Sequence, residues 1–232
     1  MLKRFFIGAA ALVIFTGQAA LAQTEVTLAE QTQLYEQLAT AIDLDNAPTL
    51  AYLLREKRLN PNHYLPNGDT PLTAAIRSQS WKSVHKVLLK SYALNVSQPN
   101  LHGETPLMLA AFKNQLPLVQ ALVDKGAQVN GGINWTALHY AATAGHTPIV
   151  QWLIEHGAHV NARTDRGVTP LYMAARGGHQ EAALVLLKNG ADAQWCTDQG
   201  LSPYQAAHSR GFQALSEQLR IDACHPDQPT QH

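Results

Sequence analysis

Thr169-Pro170-Leu171-Tyr172-Met173-Ala174-Ala175-Arg176-Gly177-Gly178-His179 contains the start, body and end of one short helix. Thr169 is an N-cap residue, whose hydroxyl can meet a free backbone N–H two or three residues on. Pro170 falls at the first helical position, where its missing N–H costs nothing. Leu171, Ala174 and Ala175 share one face, and two alanines together let a second helix approach closely. Gly178 ends the helix. A second helix is predicted through Ala182, Ala183, Leu184, Leu186 and Leu187, closed by Gly190 in the left-handed conformation. Ser202 then starts the same phrase again.

The phrase recurs along the chain. Thr70-Pro71-Leu72, Thr105-Pro106-Leu107, Thr136-Ala137-Leu138, Thr169-Pro170-Leu171 and Ser202-Pro203-Tyr204 begin at intervals of 35, 31, 33 and 33 residues. A period near 33 describes a stack of two-helix units, none of which can bury its apolar face alone. Gly126, Gly157 and Gly190 hold one repeated position, the end of the longer helix. Gly145, Gly178 and Gly211 hold another, the turn between helices. The alanine pairs at 110–111, 141–142, 174–175 and 206–207 mark the tight seam.

The unit Thr136-Ala137-Leu138-His139-Tyr140-Ala141-Ala142, then Gly145-His146, Ile149-Val150, Leu153-Ile154 and Gly157-Ala158, resembles the ankyrin repeat family nearly in full. The resemblance covers about residues 65–223. It implies an all-α solenoid of about six helix-turn-helix units with hairpin-like connecting loops, and protein–protein recognition through loop tips and the exposed side of the first helices. It also implies that His139 hydrogen-bonds within the loop network. Residues 33–62 carry a worn version of the pattern, with Ala41-Ile42 and Leu53-Leu54 in place and Glu36 where Thr would stand. They read as an N-terminal cap within a segment 23–64.

The second and third units and the loops around them depart from the pattern. Gln79 and Asn114 replace the inter-helix glycine, and Ser91-Tyr92 replaces the Gly-Ala closure. The turn at Gln79–Trp81 is therefore expected to be built differently, and this end of the stack to be the less stable. The loop near Val96–His102 is two residues long of the norm, and the next, Asn130–Trp135, two short. An uneven rim can be a recognition edge or surface drift.

Family register places Leu109, Phe112, Lys113, Tyr140, Thr143, Met173, Arg176, Gln205 and His208 on exposed first-helix positions, with Trp135 and Trp195 on neighbouring loops. Aromatic, Met and Arg residues on adjacent units have the composition of a protein-binding hot spot. The expected partner-contacting residues are Phe112, Lys113, Trp135, Tyr140, Met173, Arg176 and Trp195. Phe112 and Trp135 could equally serve only to cover seams.

Chemistry is thin elsewhere. Of 11 histidines, most fall at scaffold positions. His156 and His159 flank a helix end and read as surface polar groups before they read as metal ligands. HExxH, GxSxG and CxxC are absent, so no catalytic residue, metal site or cofactor is expected.

The first residues address the chain. Lys3-Arg4 precede the apolar run Phe5–Phe15, and Ala20-Leu21-Ala22 offers a cleavage site, so residues 1–22 are expected to be a removed signal peptide rather than an anchor. The expected location is the bacterial periplasm. Removal takes two basic residues, leaving 15 Lys+Arg against 17 Asp+Glu. That balance excludes a nucleic-acid polyelectrolyte. Cys196 and Cys224 are the only cysteines; an oxidising compartment permits a disulfide stapling the last unit, and two thiols are the alternative. The tail 224–232 is expected to be loose. The leading reading is a non-enzymatic module, monomeric until it docks one protein partner, with no membrane insertion after cleavage. A neutralising partner for an antibacterial effector, a chaperone-like protein and a metal or small-molecule carrier are the alternatives.

Overall fold

The computed structural model describes residues 29–220. The signal segment 1–22, Cys224 and the tail 224–232 lie outside them. A helix over residues 29–43 (α1) opens the described chain. Eleven more follow: α2 (Ala47–Arg55), α3 (Pro71–Arg77), α4 (Trp81–Lys86), α5 (Pro106–Phe112), α6 (Leu116–Asp124), α7 (Ala137–Ala144), α8 (Thr147–Glu155), α9 (Pro170–Gly177), α10 (Gln180–Lys188), α11 (Pro203–His208) and α12 (Gln213–Gln218).

The helices pair in order into six units, α1/α2 to α11/α12. They form two layers. First helices α3, α5, α7, α9 and α11 contact one another in sequence, and second helices α6, α8 and α10 do the same. The paired alanines lie in this seam: Ala110, Ala141, Ala142, Ala174, Ala175 and Ala207 are fully buried in one continuous core with Leu118, Leu122, Leu153 and Leu186. Each leucine fully buried in this way contributes about 1.5–3 kcal/mol, realised only once the next unit covers it.

The helix starts obey the sequence. Thr70, Thr105, Thr169 and Ser202 accept the N–H of the third helical residue at 3.2, 3.3, 3.1 and 3.2 Å, each with proline at the first helical position.

The inter-helix turn corrects one expectation. Gln79 and Asn114 take φ 58° and 57°, beside Gly145, Gly178 and Gly211 at 70°, 72° and 80°. Asp45, at φ 48°, fills the same place in the first unit. The left-handed turn is thus kept in all six units, and Gln79 adopts it at a cost of about 1–2 kcal/mol instead of rebuilding the turn. Asp45 returns something for its conformation: its carboxylate accepts the N–H groups of Lys82 and Ser83 at 3.2 and 2.8 Å, capping α4 of the next unit. Burial acts to raise this carboxyl, but those hydrogen bonds outweigh it and hold it below its ordinary value.

The second unit does differ at its far end. α4 spans only 6 residues and passes into a 3₁₀ turn, Leu88–Lys90. Ser91 is extended, at φ −77° and ψ 124°, where the third, fourth and fifth units place left-handed Gly126, Gly157 and Gly190. Without that glycine the last carbonyls are satisfied by tighter i→i+3 bonds.

Successive units are also tied along their loops by asparagines. The Asn130 amide donates to the Gly157 carbonyl and accepts from His159 N–H, both at 2.9 Å. Asn161 does the same to Gly190 and Asp192, both at 2.9 Å, and Asn62 to Ala93 and Asn95 at 2.6 and 2.7 Å. At the remaining step Ser97 stands in this place, and accepts only from Gln128 N–H, at 3.4 Å.

The uneven loops have a structural meaning. In four loops a residue donates to the carbonyl four residues ahead and accepts from a left-handed glycine three ahead: Leu65 with Gly68, Asn100 with Gly103, Thr164 with Gly167, Thr197 with Gly200. The shortened loop before Thr136 lacks that turn. The long loop and the short one line a common cleft of about 290 Å³, between Val96, Pro99, Gly103, Gly131 and Ile133.

A candidate protein-docking surface

Counting from the capping Thr or Ser, three register positions bring side chains to the same side of the first-helix layer. The residue just before the cap is Asp69, Glu104, Trp135, Val168 or Leu201. The fourth after it is Ala74, Leu109, Tyr140, Met173 or Ala206. The seventh is Arg77, Phe112, Thr143, Arg176 or Ser209. Where these positions are large and apolar in adjacent units, they meet. Phe112, Trp135, Tyr140, Thr143 and Met173, from three consecutive units, line one hollow of about 160 Å³.

The walls are aromatic edges. Phe112 and Trp135 both stand edge-to-face to Tyr140, with ring centroids 6.1 and 6.2 Å apart. Such pairs are worth about 0.5–1.5 kcal/mol beyond their burial, so the hollow is preformed. Its floor is fixed from the next unit along. His146 Nε2 donates to the Phe112 carbonyl and His179 Nε2 to the Thr143 carbonyl, each at 3.0 Å. The histidines after Gly145 and Gly178 therefore tie down the end of the preceding unit's first helix.

A polar network adjoins the hollow, and of its residues only Tyr140 was singled out by sequence. Arg77 bridges Asp69 at 3.0 Å and Glu104 at 2.6 Å. Asn100 donates to both carboxylates, at 2.8 and 2.9 Å. Tyr140 completes it, its hydroxyl donating to Glu104 at 3.1 Å. Burial acts to raise both carboxyls. Hydrogen bonds from Arg77 and Asn100, with the Arg77 charge, outweigh it and hold Asp69 and Glu104 below the usual carboxylate range. Burial and the Glu104 charge push the Tyr140 hydroxyl up to about 12. The network joins three units and leaves the Tyr140 ring, not its hydroxyl, as the wall of the hollow.

The sequence-predicted contact residues divide. Phe112 is exposed at 44%, and Trp135 and Tyr140 are half-buried. Met173 is not an exposed side chain; at 9% it is buried and contributes floor. Leu109, also expected on the exposed face, is covered at 3%. Lys113 is half-buried and ends α5. Arg176 is exposed on α9, one turn beyond Met173. Trp195 stands apart from the hollow, with the Arg163 guanidinium 4.3 Å from its ring centroid. Cys196 is fully buried nearby.

His139 is scaffold. It is fully buried, its Nδ1 accepts from Thr136 N–H at 3.2 Å, and its Nε2 lies 3.1 Å from the Val168 carbonyl. That pair of partners requires the tautomer with the proton on Nε2. Burial pushes it down to about 4, hydrogen bonds to the Val168 and Ala162 backbone opposing. His156 stacks on Trp152, with centroids 3.7 Å apart, and its Nδ1 meets the Trp152 carbonyl. Among the described residues no group of three His, Cys, Asp or Glu could hold a metal ion.

A family profile described as ankyrin repeats (3 copies) matches residues 38–133 and 129–195. The chain belongs to the ankyrin repeat family. The match includes the worn first unit from residue 38 onward, and it stops before the last. Ankyrin repeats generally serve as protein–protein interaction modules and are typically non-enzymatic. No individual curated protein matches the chain. Among the described residues no helix is long and apolar enough to cross a membrane.

Proposed function

We propose that this ankyrin-repeat chain is a non-enzymatic docking module whose contact face is the first-helix layer around Phe112, Trp135, Tyr140 and Met173. One observation carries the reading. Side chains from three consecutive units converge on a preformed apolar hollow, clamped by His146 and His179 and braced by the Arg77–Glu104–Tyr140 network. A hollow of this kind, in reach of an exposed arginine, fits the anchor-and-rim pattern of protein interfaces. In-cell crosslinking followed by mass spectrometry tests it, comparing the native chain with Phe112→Ser/Arg176→Glu. The native chain should crosslink one dominant species through this face. Equal recovery by both chains, at equal melting temperature, would remove the surface from consideration.

We infer further that the chain works as a monomer in the bacterial periplasm, starting at Gln23. The support is Lys3-Arg4, the run Phe5–Phe15 and Ala20-Leu21-Ala22. The intact mass of protein from a periplasmic fraction decides it: a mass that retains residues 1–22 refutes export by cleavage. In that compartment Cys196 and Cys224 would form one disulfide. Thiol titration of the denatured, unreduced protein should find no thiol, and two thiols would contradict the staple.

A further inference from the structure

The charge around the hollow is one-sided. The first helices α3, α5, α7, α9 and α11 contain no aspartate or glutamate. The second helices hold Asp124, Glu155, Glu181 and Glu217 instead. At or just beyond the ends of first helices stand Arg77, Lys113, Arg176 and Arg210. Arg77 is committed to Asp69 and Glu104. Lys113, Arg176 and Arg210 make no ion pair among the described residues.

Two of these cations flank the hollow. Lys113 follows Phe112 in the chain, and Arg176 lies one turn of α9 beyond Met173. The carboxylate bordering the hollow, Glu104, already accepts from Arg77, Asn100 and Tyr140. It offers a basic ligand nothing that would not first break that network. The loop tip beside α9 is balanced, Asp165 and Arg166 being neighbours. The face is therefore apolar at its centre and positive at its rim, with no unspent acid on its helices.

We propose that the occupant of this face is an acidic polypeptide segment with one bulky apolar side chain. The side chain enters the hollow between Phe112, Trp135, Tyr140 and Met173. Carboxylates on either side of it meet Lys113 and Arg176. This rests on the docking reading above and adds the chemistry of the partner. Two flanking cations, on a chain with 15 Lys+Arg against 17 Asp+Glu after residue 22, fit a short acidic segment and not an extended polyanion such as nucleic acid.

Selection of random displayed peptides on the purified protein tests the proposal, with affinities read by fluorescence anisotropy. Enriched peptides should share a large apolar residue with Asp or Glu beside it. Phe112→Ser and Arg176→Glu should each weaken them by about tenfold or more, with circular dichroism melting unchanged. Replacing the peptide's acids by lysine should recover binding to Arg176→Glu. Enriched peptides that depend on Phe112 but carry no acids would overturn the partner chemistry and leave the docking reading standing. Peptides indifferent to Phe112→Ser, no enrichment, or displacement by an oligothymidine would overturn both.

Discussion

Lowering the pH from 7 to 5 should cost this protein about 2 kcal/mol through one side chain, His139. It is buried, its partners are the Thr136 and Val168 groups, and burial holds it at about 4 against an ordinary 6.5. The sign follows from the direction of the shift. Between 6.5 and 4 the unfolded chain binds a proton there that the folded chain refuses. Stability is therefore fully present above 6.5, falls as the pH drops through the window, and has lost its full share once the pH is below 4. Each unit of separation is worth about 1.36 kcal/mol, so the whole window spans about 3.4 kcal/mol, of which about 2 is lost by pH 5. Asp45, Asp69 and Glu104 are held low, so their contributions survive until more acid conditions. Urea unfolding followed by tryptophan fluorescence at pH 7 and pH 5 measures the drop. His139→Gln should be less stable at pH 7 by about 1–3 kcal/mol, from its lost hydrogen bonds, yet lose most of the pH step. An unchanged unfolding free energy in the native chain at pH 5, or an equal drop in His139→Gln, would refute the reasoning.

Arg77→Met should destabilise by about 2 kcal/mol in urea, because Asp69 is left buried without its cation; the figure is discounted because Arg77 is 43% exposed. Gly178→Ala should cost about 3 kcal/mol and Gly190→Ala about 1, since both are left-handed but only at Gly178 would a new Cβ strike a ring, that of Phe212. Similar melting temperatures for these two variants would count against the packing account. Gln79→Gly should stabilise by about 0.5–1 kcal/mol, the relieved backbone conformation exceeding the extra freedom of glycine when unfolded; a lower melting temperature would contradict it.

The scaffold was legible because its rules are local. A capping Thr, a proline behind it and a glycine after eight or nine residues act within one turn of helix, so their spacing alone gives the period and the turn. Asp45 escaped notice because the first unit has no Thr-Pro-Leu to set a register. The hollow was partly legible, since register puts Phe112, Tyr140 and Met173 on one side. Register does not say how far the next unit covers a side chain, and so Leu109 and Met173 were expected to be exposed. The polar network was invisible for another reason. The bonds that carry it from unit to unit join residues 27, 31 and 36 apart, and each depends on where one long side chain reaches across a seam. A weaker signal was available for the asparagine ties: Val129-Asn130 and Val160-Asn161 recur 31 residues apart.

Those ties also decide how the array would respond to a load. A stack joined along two edges behaves as a spring, and its softest coil sets its compliance. Between the second and third units one edge is held by Arg77 on Glu104 and Asn100 on Asp69. The other has only Ser97 beneath Gln128, beside the cleft of the unequal loops. Bending should concentrate there, one step before the aromatic hollow begins. Amide exchange gives the measure: Gln128 N–H should exchange faster than His159 or Asp192, its counterparts on the asparagine rungs. A partner gripping Phe112 and Met173 together would span only the steps beyond this soft coil, and so would leave it free to bend.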